Sequence, residues 1–301
     1  MIVRPRPRSI ELLFILRGSI LPDIASRLLF ITGFSCLVLW LAQAQHLQLQ
    51  AFPLAPFSFL GLALSVFLGF RNNACYDRWW EARRQWGDLI VQTRSFARES
   101  KALLGTSAAN ERMVRSLIGF SYALAARLRG NDEQAAAQSW LPESPALAAK
   151  HNLPDAILRQ VNADLVQGLR AGQLSDILYE GLNNRLLAIS GIQAACERIR
   201  NTPTPFAYSL LLHRTAWLFC LLLPFGLAGS IGMMTPVVVA ITAYAFFGLD
   251  ALGDELEEPF GLTDNDLPLD ALVRTIEIDL LDALDVAELP APLRPVNYRL
   301  Q

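Results

Sequence analysis

From Leu28 to Phe70 the chain has no Asp, Glu, Lys or Arg, and from Thr215 to Leu249 it has none again, runs of 43 and 35 residues. Charge is otherwise nearly balanced at a formal −2, which calls for no nucleic-acid partner. Histidine is scarce. His46, His151 and His213 are dispersed, which argues against a histidine-based catalytic site. The four cysteines Cys36, Cys75, Cys196 and Cys220 show no CxxC or metal spacing, excluding a recognisable zinc site or disulfide framework. Phosphate-binding loops, GxSxG, HExxH and GxGxxG in a strand–helix context are all missing. With no nucleophile–base set either, an enzyme is not expected. There is no sustained apolar–polar alternation and no internal repeat, so the periodicity points to helices alone.

The uncharged runs define what is there. A membrane helix needs roughly 20 apolar residues, so the first run accommodates two crossings joined by a short turn. The second accommodates two if its first helix starts near Phe206 and takes in His213 and Arg214. The expectation is an all-α integral membrane protein with four transmembrane helices. Its parts are an N-terminal segment (1–26), hairpin 1 (27–70), a helical region (71–205), hairpin 2 (206–249) and an acidic C-terminal region (250–301). The last of these holds 13 acidic and 3 basic side chains, against 15 and 23 in the rest.

Helix one is expected over Arg27–Ala44 after a break at Pro22, with His46 at the far surface. Helix two follows Pro53 and Pro56 and returns to water at Arg71. Helices three and four occupy Phe206–Leu227 and Pro236–Leu249, with Gly226, Gly229 and Gly232 in the outer turn and Asp250 marking the return to water. Arg4, Arg6, Arg8, Arg17 and Arg27 precede the first crossing, and RNNACYDRWWEARRQ follows the second. The positive-inside rule therefore puts both termini in the cytoplasm. No cleavable signal pattern directly follows MIVRPRPRS, so the first run reads as a retained anchor. In the 71–205 region, Gly105-Thr106, Gly130-Asn131-Asp132 and Gly172 read as helix ends, the prolines 142, 145 and 154 mark a loop plus short helix, and Thr202–Pro205 leads into helix three.

Three features bear on function. Leu62, Val66 and Phe70 stand at i, i+4 and i+8 in the uncharged half of a helix that continues, without proline, into a charged one. They share one slowly drifting stripe; in a symmetric oligomer it lines a constriction, and in a monomer it is packing. Arg78-Trp79-Trp80 reads as an interfacial anchor among lipid headgroups. His213 and Arg214 are expected to snorkel to the interface. Asp264-Asn265-Asp266 has the oxygen-rich character of a hard-cation site, although acidic loops are commonly just solvated.

Arg17-Gly18-Ser19-Ile20, Leu68-Gly69-Phe70 with Arg78-Trp79-Trp80, Thr204-Pro205-Phe206-Ala207-Tyr208, and Pro259-Phe260-Gly261 before an acidic stretch occur in this order. In these motifs, across roughly residues 10–270, the chain resembles the bestrophins, as a bacterial member. The resemblance implies a homopentameric ion channel with one central pore, partnered by itself, by membrane lipids and by its permeant inorganic ions, in the bacterial inner membrane. It implies that Leu62, Val66 and Phe70 form the pore neck and that Ile177 forms a second, cytosolic constriction. It also brings in Ca²⁺ as a cofactor. Asp264 and Asp266 are kept, but Leu262 and Thr263 stand where animal relatives carry acids, leaving the remnant of a Ca²⁺ clasp.

Apolar rings offer an ion no ligands, so such a neck gates by dewetting while electrostatics elsewhere set selectivity. If the acidic C-terminal region lines the conduction path, Na⁺ and K⁺ are favoured. A chloride or other anion channel of the same architecture is the alternative. A non-conducting membrane scaffold would share the hydropathy, but it has no reason for an aligned stripe. A secondary transporter would be expected to show internal repeats with paired broken helices.

Overall fold

The computed structural model describes residues 1–5, 8–12, 14–44, 55–141 and 150–301. These are helical: α1 Ser9–Leu12, α2 Leu21–Gln43, α3 Ala55–Leu104, α4 Ala108–Arg129, α5 Glu133–Ala137, α6 Leu153–Arg170, α7 Asp176–Asn201, α8 Phe206–Ile231, a 3₁₀ turn at Gly232–Met234, α9 Thr235–Glu257 and α10 Leu269–Ala283. Among the described residues there is no strand, only the isolated bridges Ile2–Arg299 and Val296–Arg299, as an all-α fold requires. His46 and the loop with prolines 142 and 145 lie outside the described residues.

The chain separates into two compact units: Pro5–Trp79 with Pro203–Glu258, and Met1–Arg4 with Trp80–Thr202 and Pro259–Gln301. Helix α3 contributes residues to both, and the uncharged stretch continues into the charged one as a single helix of 50 residues. Leu21–Gln43, Ala55–Leu104 and Phe206–Glu257 are long and apolar enough to cross a membrane. The last of these is broken at the 3₁₀ turn into α8 and α9.

In the first unit the side-chain contacts run symmetrically about Gly232. His213 meets Asp250, Trp217 meets Phe247 and Phe219 meets Phe246. Helices α8 and α9 are therefore antiparallel, and Gly232 takes the positive φ (54°) that the reversal needs. Gln43 lies against Met233 while Arg27 lies against Asp250, so α2 runs antiparallel to α9. Phe57 meets Gly226 and Tyr208 meets the Phe67 carbonyl, so α3 runs antiparallel to α8. The result is an up–down–up–down bundle around Ile24, Ile31, Leu64, Leu68, Phe219 and Phe247.

Two expectations change here. Pro22 does not break the chain before helix one; it sits in the first turn of α2, where its missing N–H has no helical acceptor. Gly226 and Gly229 lie inside α8, not in the turn. A Cβ on Gly226 would come within 2.9 Å of the Phe57 ring. In sequence the glycine is a loop signal, whereas in the fold it permits close approach of two helices, a usual device where no water drives helices together.

In the second unit α4 carries the core through Met113, Leu117, Ile118, Phe120 and Leu124, all buried. Helices α5, α6, α7 and α10 pack on it. Each of the first four starts at an oxygen-bearing N-cap that accepts a backbone N–H: Ser107 from Asn110, Asp132 from Gln134 and Ala135, Asn152 from Asp155, and Ser175 from Leu178. Gly105, Gly130 and Gly172 take positive φ at helix ends, as their positions in the sequence suggest.

The Gly226 contact yields a test. Gly226→Ala forces the Phe57 ring to move and should cost about 1–3 kcal/mol. A Cβ on Gly33 has nothing within 4 Å, so Gly33→Ala should be neutral or stabilising by up to about 1 kcal/mol. Thermal unfolding of the two variants in detergent should move in opposite directions or differ clearly.

Candidate functional site: an outward stripe and a buried clamp on one helix

Helix α3 has two opposed faces where it crosses the first unit. Leu62, Val66 and Phe70 are 64%, 46% and 61% exposed, while Leu64 and Leu68 are 2% and 0% exposed. At about 100° per residue the two sets lie on opposite sides of the helix. The bundle core takes Leu64 and Leu68, and the expected stripe points away from it. In a single subunit three apolar side chains are thus left for something other than their own core.

The buried face continues into charge. Arg71, directly after Phe70, is 1% exposed, and its guanidinium is held by α9. Nη1 donates to the Asp250 carboxylate and to the Asp250 carbonyl, both at 3.1 Å. Nη2 donates to Asp254 at 2.5 Å and lies 3.5 Å from Glu257. Asp250, Asp254 and Glu257 are spaced i, i+4 and i+7 and so share a helix face. A Cβ on Gly253 would fall 2.7 Å from Asn72 Oδ1 and 3.1 Å from Arg71 Nη1, so the crossing needs glycine there.

Asp250 is itself 1% exposed, and its second oxygen is also engaged. His213 Nδ1 on α8 lies 2.7 Å from Oδ2, and Arg27 Nη1 on α2 lies 3.7 Å away. Trp217 Nε1 donates to His213 Nε2 at 3.1 Å. With Nε2 accepting, the hydrogen of a neutral imidazole resides on Nδ1 and is donated to Asp250. All four helices of the bundle meet at this carboxylate.

This corrects three expectations. Arg71 and Asp250, expected to stand in water at the ends of crossings, are buried and neutralise each other inside the bundle, since an ion leaves water at tolerable cost only when paired. His213 does not snorkel, because both of its ring nitrogens have partners within the bundle, whereas Arg214 is exposed. The acidic region opens on α9, where Asp254 and Glu257 also turn to Arg71, although 57% of the Asp254 side chain stays exposed. The carboxylate spacing and the lone histidine in an apolar run were visible signals. The common partner of the carboxylates, Arg71, 179 residues before Asp250 in the chain, was not.

The remaining candidates fall elsewhere. Arg78 Nε donates to the Glu257 carbonyl at 2.6 Å and so satisfies the last turn of α9. Trp79 stacks on Tyr76 at 6.4 Å, and Trp80 is exposed. Ile177, in the first turn of α7, is 81% exposed. Cys196 is buried in the second unit, and that burial pushes its thiol up to about 12, far from a reactive thiolate.

Asp264 and Asp266 each have partners within the chain. Arg299 Nε lies 3.6 Å from Asp264, the Asp264 carbonyl accepts from Ile2 N, and the buried Asp266 carboxylate accepts from Thr263 N. Among the described residues no cluster of three His, Cys, Asp or Glu side chains could hold a metal. A guanidinium supplies the positive charge at this loop, so the residues present do not fit a Ca²⁺ clasp.

The chain matches the model of the bacterial/fungal bestrophin proteins over residues 1–282. It is 45% identical over 301 residues to the voltage-dependent anion channel-forming protein YneE of Escherichia coli K12, covering 99% of each chain. It is 43% identical over 298 residues to the voltage-dependent anion channel-forming protein mll4386 of Mesorhizobium japonicum, covering 99% of this chain and 96% of that one. A crystal structure of a bacterial bestrophin homologue from Klebsiella pneumoniae superposes with a TM-score of 0.83 at 39% identity, covering 87% of this chain and 98% of that one.

Two results should follow from the site. Arg71→Met leaves Asp250 buried without its main counter-charge and should destabilise the protein by about 3–5 kcal/mol in thermal unfolding. Adding Ca²⁺ or a chelator should leave the unfolding midpoint unmoved, because Arg299 lies beside the Asp264 carboxylate and no cluster of three acidic, His or Cys side chains forms among the described residues.

Proposed function

The chain belongs to the bacterial and fungal bestrophin family, and from that premise we propose that it forms a homopentameric anion channel with one central pore. The protein is a membrane ion channel and not an enzyme. The observation that carries the finer reading is the outward stripe of α3. An apolar face of a membrane helix is packed against its own bundle, turned to lipid, or turned to copies of itself. Here the packed face is taken by Leu64 and Leu68. Five copies of α3 around a closed symmetry axis would bring Leu62, Val66 and Phe70 into three stacked rings. Ile177 is assigned to a second constriction on the strength of its exposure and the family resemblance.

Such a neck acts as a gate. Its rings give a permeating ion nothing to replace hydration water, so conduction requires the neck to stay wetted and closure follows from narrowing. Four crossings are assigned to α2, the first part of α3, α8 and α9. The basic flanks at residues 4–27 and 71–84 then face the cytoplasm of a bacterial inner membrane, with residues 71–205 and 250–301 on that side.

Anions replace the cation preference expected from composition, for two reasons. Related proteins carry the name anion channel-forming. The C-terminal acids that would draw cations are also engaged within the subunit: Asp264 by Arg299, Asp270 by Arg129, Asp279 by Arg94 and Asp285 by Lys101. Neutralised in this way they project little field into an adjacent aqueous path.

Purified protein in planar bilayers under a KCl gradient tests this. Currents should reverse toward the chloride equilibrium potential. Leu62/Val66/Phe70→Ala should shift the closed–open equilibrium toward open by at least about tenfold, or about 1.4 kcal/mol. Reversal toward the potassium potential would return the selectivity to cations, and a protein that is strictly monomeric in mild detergent would end the pentamer assignment.

A further inference from the structure

Leu64 and Leu68 pack α3 against an apolar bundle, and apolar packing is non-directional: a helix can turn about its axis and repack. The guanidinium that follows is directional, with donors in a fixed planar fork. Arg71 engages Asp250 through one nitrogen and Asp254 through the other, so the α3 azimuth that satisfies both is narrowly defined. Asp250 cannot yield readily, because His213 from α8 and Arg27 from α2 hold its other oxygen and Trp217 holds the far side of His213. Phe70 is the residue just before Arg71, about 100° around the helix from it, and is exposed.

We propose that Arg71 and Asp250 are positioning residues of the pore: their ion pair sets the rotation of α3 so that Leu62, Val66 and Phe70 point out of the subunit. The inference rests on the reading of those three residues as the neck. The competing account is that the pair only stabilises the fold. A buried ion pair is poor at that task, since apolar replacements of both partners are often neutral or stabilising. Direction is what the apolar replacement lacks, and this separates the two accounts.

The experiment compares the intact protein with Arg71→Met/Asp250→Leu, each also carrying Val66→Cys. Oligomer size and unfolding midpoint are measured in detergent, and open probability in bilayers. Modification of the introduced cysteine by a water-soluble thiol reagent is located by peptide mapping, which distinguishes it from the exposed Cys36. The charged protein should modify readily at position 66. The double variant should keep its assembly and midpoint, lose at least tenfold in modification rate at 66, and change its open probability by a similar factor. An assembled double variant with unchanged rate and open probability overturns the inference. If the double variant does not assemble, Asp254→Asn/Glu257→Gln decides the matter. It keeps the inner pair but releases the outer half of the fork, and should slow modification at least threefold; an unchanged rate again overturns the inference. Silence of the charged protein in bilayers would count against the channel reading alone, because the modification rate reports the orientation of α3 without any current.

Discussion

A guanidinium and a carboxylate taken out of water inside an apolar four-helix bundle are the constraint on which the membrane-type unit depends. Neither Arg71 nor Asp250 could be buried alone, because an unpaired ion in that environment carries a penalty that no amount of leucine packing offsets. Once they pair, α3 and α9 must run side by side in one register. Gly253 must be a glycine to let them approach, and α2 and α8 must bring Arg27 and His213 to the same carboxylate. The apolar contacts, such as Phe57 on Gly226 and Trp217 on Phe247, then fill in around a framework whose geometry is decided by charge.

The other unit reaches definition by different means. Four N-caps and three left-handed glycines delimit its helices, and α4 is tied to α5, α7 and α10 by ion pairs and polar contacts. Arg127 holds Glu133 and Glu197, while the Tyr122 hydroxyl donates to Glu277 at 2.5 Å. Burial and the negative Glu277 push the Tyr122 phenol well above its ordinary value, so it stays a donor at all ordinary pH. The C-terminal acids that look like a negative tail in the sequence are largely half of such pairs. This bears on function, since a carboxylate matched by arginine draws a cation less strongly than a lone one.

The functional logic joins two opposite faces of one helix. In the proposed channel, one face carries side chains that act on water and ions only by excluding or admitting them. The other leads into a buried, directional ion pair. A gate made of apolar side chains has no intrinsic preference for one orientation, so its orientation has to be imposed from elsewhere on the helix. In the proposed channel the ion pair one residue away supplies it.

The amino-acid sequence alone determined that this is a helical membrane protein. Uncharged runs of that length have few other physical solutions, and helix ends at Gly105, Gly130 and Gly172 follow from glycine's access to positive φ. The stripe of Leu62, Val66 and Phe70 was legible too, because helical periodicity is local. What the sequence could not decide was which partner each charge would find. Arg71, His213 and Asp250 each read as surface residues near a membrane boundary, since local chemistry assigns a lone ion to water. Only the fold brings them together from positions up to 179 residues apart, and pairing reverses the preference: ions that must be solvated singly become the interior anchor when they meet. The same holds for Gly226, a turn signal in isolation and a packing site once Phe57 lies across it.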